Sequence, residues 1–321
     1  MESAETDAPI STEQNLSLRK ISLEDCPCLG KGQNSTVYRL DEERILKLYK
    51  PAPHARGAMV QEQRNAQAAC ALGVPTPKVF EAVQADGCFG LIFELVQGAS
   101  LREAIAKEPE RLTQLASKGA QLLRRLHRLP VAPGTFPPMS ETYHQRADNL
   151  ADLLSAAEIG LLHRMIDSIP EGRSFIHGDF HRGNLILREE QLMLIDVADV
   201  SLGHPLYDVL GTYMLGMHLV KNYPAALAEK MVGWKTDIIS QAWDIFKKTY
   251  FQTEDPAELA EIEALMEAYC PLRWLTFLKL APMSEEMRHQ SVEEAREKFF
   301  PHIPAHIERF RPRLEAMGMK L

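Results

Sequence analysis

Residues 177–184 read His177-Gly178-Asp179-Phe180-His181-Arg182-Gly183-Asn184, and Leu192-Met193-Leu194-Ile195-Asp196 follows shortly after. An Asp, an Asn five positions on and a second Asp twelve beyond that are thus set around two short apolar runs. The set supplies one oxygen base and two ligands for a hard metal ion. Phosphoryl transfer from a magnesium nucleotide uses that combination, because the protein orients a hydroxyl, holds the metal and neutralises charge. Mg2+ takes oxygen ligands, usually only one or two from protein, with water and phosphate completing its shell. Asp179 is the candidate for the hydroxyl; Asn184 and Asp196 are the candidates for the metal.

The apolar runs explain how these side chains are held. Leu185-Ile186-Leu187 is short, branched and apolar, as a buried strand should be, and Leu192-Met193-Leu194-Ile195 can pair with it. Arg188-Glu189-Glu190-Gln191 between them is polar and of hairpin-loop length. Asn184 then precedes one strand and Asp196 follows the next, so both emerge at the same edge of the hairpin. Taken singly, each of the three residues is also an ordinary turn or strand-end residue; together they point to chemistry if a nucleotide site lies upstream.

Such a site is legible upstream. Leu29-Gly30-Lys31-Gly32-Gln33-Asn34-Ser35 is a glycine-containing turn leading into the β-prone run Thr36-Val37-Tyr38-Arg39-Leu40, and Ile45-Leu46-Lys47-Leu48-Tyr49 is a second strand with Lys47 among apolar neighbours. Glycines let backbone N–H groups approach phosphate, and Lys adds a point charge to its oxygens. No Gly-Lys-Ser/Thr leads into a helix, so the turn is not a Walker A loop. Glu62, on a helical stretch from about 58 to 72, can pair with Lys47 and present it to the α and β phosphates. Glu81 falls in the later strand, 79 to 83, and does not compete.

These residues, with Gly73-Val74-Pro75-Thr76-Pro77-Lys78, Glu94-Leu95-Val96-Gln97-Gly98 and Leu126-His127, make the chain similar to the aminoglycoside phosphotransferase and choline kinase-like family, small-molecule kinases of the protein kinase-like fold. The resemblance runs from about residue 18 to 210. It implies an α+β, bilobal fold, with a β-rich N-lobe carrying one main helix, a larger and mostly helical C-lobe, and a nucleotide between them. It implies Mg2+-dependent transfer from ATP or GTP to a hydroxyl of a small-molecule acceptor. By the same resemblance Gly30, Gly32, Ser35, Lys47 and Glu62 belong to the nucleotide site, and Glu94 and Val96 form the hinge whose backbone bonds the base. His181 stands where protein kinases place a Lys, either approaching the transferred phosphate or bracing the loop. Ser35 replaces the third glycine of many relatives, and Val197-Ala198-Asp199 replaces the Phe-Gly that follows the metal Asp in protein kinases. Asp199 is either a second carboxylate near the metal or a cap, and Asp208 resembles the family's buried, structural Asp at a helix start.

Composition sets outer limits. The 321 residues are enough for two lobes with a substantial core, and 45% hydrophobic with 25% charged residues is ordinary for a globular protein. Net charge of −8 argues against a nucleic-acid partner bound through a general basic field. The five cysteines, Cys26, Cys28, Cys70, Cys88 and Cys270, are odd in number and scattered, which suggests a reducing compartment. The acidic start lacks a signal peptide's basic and apolar regions, and no apolar run approaches the roughly 20 residues of a membrane span. The expectation is a cytoplasmic protein with no membrane partner. Residues 1–15 read as a flexible acidic tail, 16–96 as the N-lobe, 97–100 as a linker and 101–321 as the C-lobe, with helices over 111–129, 143–157 and 158–169 before the catalytic loop.

The acceptor is the vague part. Trp234, Trp243 and Trp274 fit a core role better than a cage for a quaternary ammonium. The acidic run 254–263 fits a solvated helix start better than an amine site. His204, Tyr213, His218 and Arg273 carry no decisive pattern. A small-molecule hydroxyl kinase for an amino alcohol, sugar or aminoglycoside leads. Against a protein kinase, this chain has no recognisable Ala-Pro-Glu segment, and the short interval from Asp196 to Gly203-His204-Pro205 leaves little room for a peptide-docking activation loop. A nucleotide-binding regulatory module would have no use for a hydroxyl-orienting Asp.

Overall fold

The computed structural model describes residues 18–281 and 283–319; the expected tail, 1–15, lies outside the described residues. The N-terminal half holds β1 (Arg19–Lys20), β2 (Cys28–Lys31), β3 (Ser35–Arg39), β4 (Arg44–Tyr49), α1 (Ala55–Ala71), β5 (Val79–Ala85) and β6 (Cys88–Glu94). These strands form one sheet in the order β1-β5-β6-β4-β3-β2, antiparallel except where β1 joins β5. Strand alternation fixes what β4 presents to each side. Leu46 and Leu48 enter a small cluster with Val83, Ala85 and Ile92, while Tyr49 joins the main core. Lys47 shares the Tyr49 face, toward α1.

After β6 the chain crosses to the helical part through Gly98, whose φ of 145° brings its backbone against β9 (Leu185–Arg188); a Cβ there would lie 2.2 Å from the Leu187 carbonyl oxygen. Residues 99–100, expected as linker, form β7 (Ala99–Ser100), which pairs with β9, and Ser100 then caps α2 (Leu101–Lys107) in a reciprocal box with Glu103. α3 (Leu112–His127) follows, its buried face formed by Leu115, Leu122, Leu123 and Leu126.

The next two helices differ from expectation. They are α4 (Met139–Asp148) and α5 (Ala156–Asp167), with a turn between them where the Leu153 and Leu154 amides both donate to the Leu150 carbonyl. The break is set by Ser155, which caps α5 in a box with Glu158. Apolar spacing through 150–154 resembles a continuing helix, but the cap overrides it.

β8 (Ser174–Ile176) leads into the catalytic loop, β9 and β10 (Gln191–Leu194) form the expected hairpin, and β11 (Ser201–Gly203) pairs with β8. The hairpin turn is tighter than expected: the ladder reaches Arg188 and Gln191, leaving Glu189 and Glu190, both at positive φ, in a two-residue turn. The remainder is helical: α6 (Leu206–Tyr213), a π-helical turn (Met214–His218), α7 (Leu219–Asn222), α8 (Ala225–Val232), α9 (Thr236–Phe251), α10 (Pro256–Phe277), α11 (Glu285–Lys298) and α12 (Ile303–Met319). α9 packs along α3, and α10 against α4 and α6. Among the described residues no helix is long and apolar enough to cross a membrane.

Candidate active site

The loop after β8 is bolted down before it presents anything. Gly178 adopts φ 83°, and a Cβ there would meet the Asp199 carbonyl oxygen at 2.7 Å, so only glycine fits. Asp208, buried in the first turn of α6, accepts the His177 and Gly178 amides at 2.8 Å each and lies 3.1 Å from His127 Nε2. His127 Nδ1 in turn meets the Tyr250 hydroxyl. The expected structural Asp is thus the loop's anchor; its bonds run to the loop, not to its own helix. Burial opposes its charge, but the His127 bond and the surrounding donors hold the carboxyl below its ordinary value.

His177 is fully buried and bridges two segments. Its Nε2–H donates to the Ile195 carbonyl at 3.2 Å and its Nδ1 accepts the Asp179 amide at 3.3 Å. The loop carrying Asp179 and the strand end carrying Asp196 are therefore joined through one imidazole. The Ile195 amide donates to the Asn184 carbonyl at 2.9 Å, closing the hairpin with Asn184 and Asp196 at one edge, as their spacing anticipates.

The Asp179 carboxylate edge is open to solvent, while the loop around it is closely packed. Asn184 Nδ2 donates to the Asp179 carbonyl at 3.0 Å and to its Oδ2 at 3.2 Å, which turns the Asn184 side-chain oxygen away and leaves it free to accept or ligate. His181 Nδ1 accepts the Gly183 amide at 2.9 Å, and its Nε2 lies 3.4 Å from Asp179 Oδ2. Burial raises the cost of charge on Asp179, yet the His181 hydrogen bond and the nearby Arg273 guanidinium hold it well below the usual carboxylate range.

Asp196 sits at φ 62°, a backbone region uncommon for a residue with a side chain. Its Oδ1 is 2.8 Å from Lys47 Nζ, which is also 2.7 Å from Glu62 Oε1. The Tyr49 hydroxyl donates to the other Glu62 oxygen. Burial works against ionising both ends of this trio. The two carboxylates still push the Lys47 ammonium up, and Lys47 holds Asp196 below its ordinary value, while burial pushes Glu62 up. One turn along α1 from Glu62, the buried Asn65 donates to the Ala198 carbonyl at 2.9 Å and fastens the segment after Asp196 to the helix.

The structure thus brings Asp179, His181, Asn184, Asp196, Lys47 and Glu62 into one connected group. Gly30, Gly32 and Ser35 lie apart at the β2–β3 turn, where the Gly32 amide donates to the Ser35 carbonyl. Glu94 ends β6 and pairs with Arg188 at 2.8 Å, and Val96 lies beyond the strand. Among the described residues the Val96 amide and carbonyl bond no other backbone group. Asp199 neither joins this group nor caps a helix; it pairs with Arg146 at 3.2 Å. An all-oxygen pair, the Asp196 carboxylate and the Asn184 amide oxygen, fits a hard cation, and the described residues hold no cluster of three His, Cys, Asp or Glu side chains that would suit a softer one.

The phosphotransferase enzyme family matches residues 26–244, about two thirds of the chain. The chain belongs to this family. No curated protein matches it in sequence. An aminoglycoside phosphotransferase in complex with gentamicin superposes with a TM-score of 0.58 at 16% identity, covering 94% of this chain and 99% of that one. A choline/ethanolamine kinase family protein from Mesorhizobium loti gives 0.56 at 16%, covering 92% of each. An amicoumacin kinase in complex with AMP-PNP and Ca2+ gives 0.56 at 16%, covering 88% and 90%. At such identity the likeness is one of fold: the α+β, bilobal, protein kinase-like architecture expected from the sequence.

The chain also contains neighbours of the loop that spacing did not reveal. Arg273 of α10 is buried beneath it, donating to the Gly178 carbonyl at 2.8 Å and to the Tyr143 hydroxyl at 3.0 Å, 3.9 Å from Asp179 Oδ1. Its guanidinium stacks 3.7 Å from the Phe277 ring centre, whose neighbour at 4.2 Å is Arg146. Asn65 had a readable signal, three residues after Glu62 on one helix face. Arg273 had none, since its partners lie about a hundred residues away.

Proposed function

We propose that the protein moves the γ-phosphate of ATP or GTP to a hydroxyl of a small molecule: an amino alcohol, a sugar or an aminoglycoside. The observation that carries this reading is the Asp179 carboxylate, held ionised beside Asn184 and joined through His177 to the strand end bearing Asp196. A carboxylate kept so acidic is a weak base, so its main task is to fix the acceptor hydroxyl in line and take its proton late, as a loose phosphoryl-transfer transition state requires. Lys47, aligned by Glu62, neutralises phosphate charge. Asn184 and Asp196 would hold Mg2+, which would supply positive charge to offset the charge developing on the transferred phosphate. Gly30, Gly32 and Ser35 cover the phosphates; a Cβ at Gly30 would meet nothing in the chain, leaving that space to a ligand. The free backbone groups of Val96, next to Glu94, suit the nucleobase. His181 braces the loop and steadies Asp179. Residues 16–96 serve as the nucleotide lobe, 97–100 as the hinge and 101–321 as the catalytic and acceptor lobe. Relatives by fold bound to ADP, ATP and AMP-PNP support a nucleotide donor.

The test is nucleotide consumption with Mg2+ against pooled amino alcohols, sugars, nucleosides and aminoglycosides, with Asp179→Asn as control. Acceptor-dependent release of ADP or GDP that vanishes in the control establishes the reaction. Consumption unaffected by the substitution rejects the role of Asp179.

A further inference from the structure

Behind the loop bearing Asp179 a partly open pocket of about 70 Å3 lies between the loop and α2, α3, α6 and α9. Phe180, Trp234, Trp243 and Phe246 form its aromatic wall, and His181 and Arg182 its polar edge. Arg182 is the anomaly there. Its guanidinium lies 4.7 Å from the Trp234 ring centre, and Nη2 donates to the Leu215 carbonyl at 2.9 Å, but the Nε–H is buried with no acceptor. No carboxylate among the described residues pairs with it. The one charged side chain that acts on it is another cation, Arg102. The two arginines and the tryptophan form one unit: the Arg102 amide donates to the Arg182 carbonyl at 3.1 Å, and Trp234 Nε1–H donates to the Arg102 carbonyl at 2.9 Å.

This happens in a chain where 44 acidic residues face 36 basic ones, so carboxylate partners are plentiful elsewhere. A buried guanidinium is ordinarily paired, because an uncompensated charge away from water is unfavourable. No group among the described residues supplies that pairing, which leaves it to a bound ligand. The cavity also touches the reacting centre: His181 lines it, and His181 Nε2 lies 3.4 Å from Asp179 Oδ2.

We infer that Arg182, supported by Arg102 and Trp234, receives an oxyanion of the acceptor, a carboxylate or a phosphate, while the acceptor's apolar portion rests on the aromatic wall. The inference builds on the phosphotransfer reading, which supplies the reacting hydroxyl at Asp179. Guanidinium donors suit a planar or tetrahedral oxyanion, and two adjacent cations disfavour a polycationic acceptor. The substrate class narrows from hydroxyl compounds in general to hydroxy acids or phosphorylated alcohols with an apolar part.

Calorimetric titration tests this on the full chain saturated with Mg2+ and AMP-PNP, so that nucleotide sites are filled. The probes are benzoate and phenyl phosphate against benzyl alcohol and benzylamine. One or both anions should bind at least roughly tenfold more tightly than the alcohol, the amine should not bind, and the stronger anion tells carboxylate from phosphate. Arg182→Gln should weaken anion binding roughly ten- to a hundredfold, the worth of a charge-assisted bond; Arg182→Lys should recover part of it. Melting curves of both variants report whether they fold, and the wild-type probe comparison needs neither. Alcohol and anions binding alike, or Arg182→Gln binding anions unchanged, overturns the inference. The acceptor assay with its Asp179→Asn control separates the two readings. Efficient phosphorylation of neutral or cationic acceptors, indifferent to Arg182→Gln, sinks the oxyanion pocket and keeps phosphotransfer. Anion binding at Arg182 with no acceptor consuming nucleotide, once hydroxy acids and phosphorylated alcohols are added to the pools, keeps the pocket and sinks phosphotransfer.

Discussion

Asp208→Asn is the sharpest probe of how the loop is held. The wild-type carboxylate takes the His177 and Gly178 amides on separate oxygens and His127 beside one of them, all away from water. Asparagine keeps one oxygen and places an NH2 where the other was, so one amide N–H faces a donor. A charge-assisted bond of roughly 1.5–3 kcal/mol is lost and a buried donor is left unpaired at roughly 1–3 kcal/mol more. The sum, about 2.5–6 kcal/mol, brackets the roughly 3–5 kcal/mol that breaking a buried ionic contact usually costs. Against a typical stability of about 5–15 kcal/mol this is severe. Urea unfolding should show a lower midpoint at unchanged slope, and a loss below about 1 kcal/mol would refute the anchoring role.

The same contact makes a prediction about acid. The Asp208 carboxyl is held below its ordinary value in the fold, against roughly 3.9 when unfolded. A depressed carboxyl stabilises the fold fully above its unfolded pKa, and that contribution disappears as pH falls through the lower, folded value. The stability gap between wild type and Asp208→Asn should therefore be constant from about pH 5 to 8 and shrink below about pH 4. A gap that widens in acid would mean that the folded carboxyl is raised, not lowered.

Three further substitutions address the reacting groups. Asp179→Asn should leave nucleotide affinity largely intact and cut transfer about a hundredfold or more, read by turnover beside nucleotide titration; because the wild-type carboxyl is held so low, an activity limb above about pH 5 should not trace to it. Asp196→Asn should weaken Mg2+ dependence and nucleotide binding together, and a normal Mg2+ titration would remove this residue from the metal site. Glu62→Gln should raise the nucleotide KM about tenfold or more by freeing Lys47 to rest on Asp196 alone; an unchanged KM would show that Lys47 needs no alignment.

The proposed phosphotransfer centre is legible because its parts are local. Asp179 and Asn184 share one loop, the hairpin that returns Asp196 is a few residues long, and strand alternation alone puts Lys47 on the face with Tyr49. The break between α4 and α5 was also written in the sequence, as Ser155 with Glu158 three residues on, but helical spacing at Leu150, Leu153 and Leu154 masked it. Arg273 could be named as one of four residues able to reach the pocket, but not placed. It sits in α10 between Leu272 and Leu275, and nothing near it in sequence says that its guanidinium passes under Gly178 rather than out to solvent.

That asymmetry follows from what each half must recognise. A magnesium nucleotide presents the same phosphates to any enzyme, so short spacings of Asp, Asn, Lys and Gly suffice to meet it. An acceptor is met by whatever side chains the long helices bring together, and those meetings depend on packing between distant elements. Arg182 sits on the boundary between the two. Its place in the loop is plain in the sequence, but its meaning lies in what surrounds it: Trp234 on its face, Arg102 beside it and no carboxylate of the described residues paired with it. A residue's identity can be read locally, whereas the absence of its partner is visible only once the chain is folded.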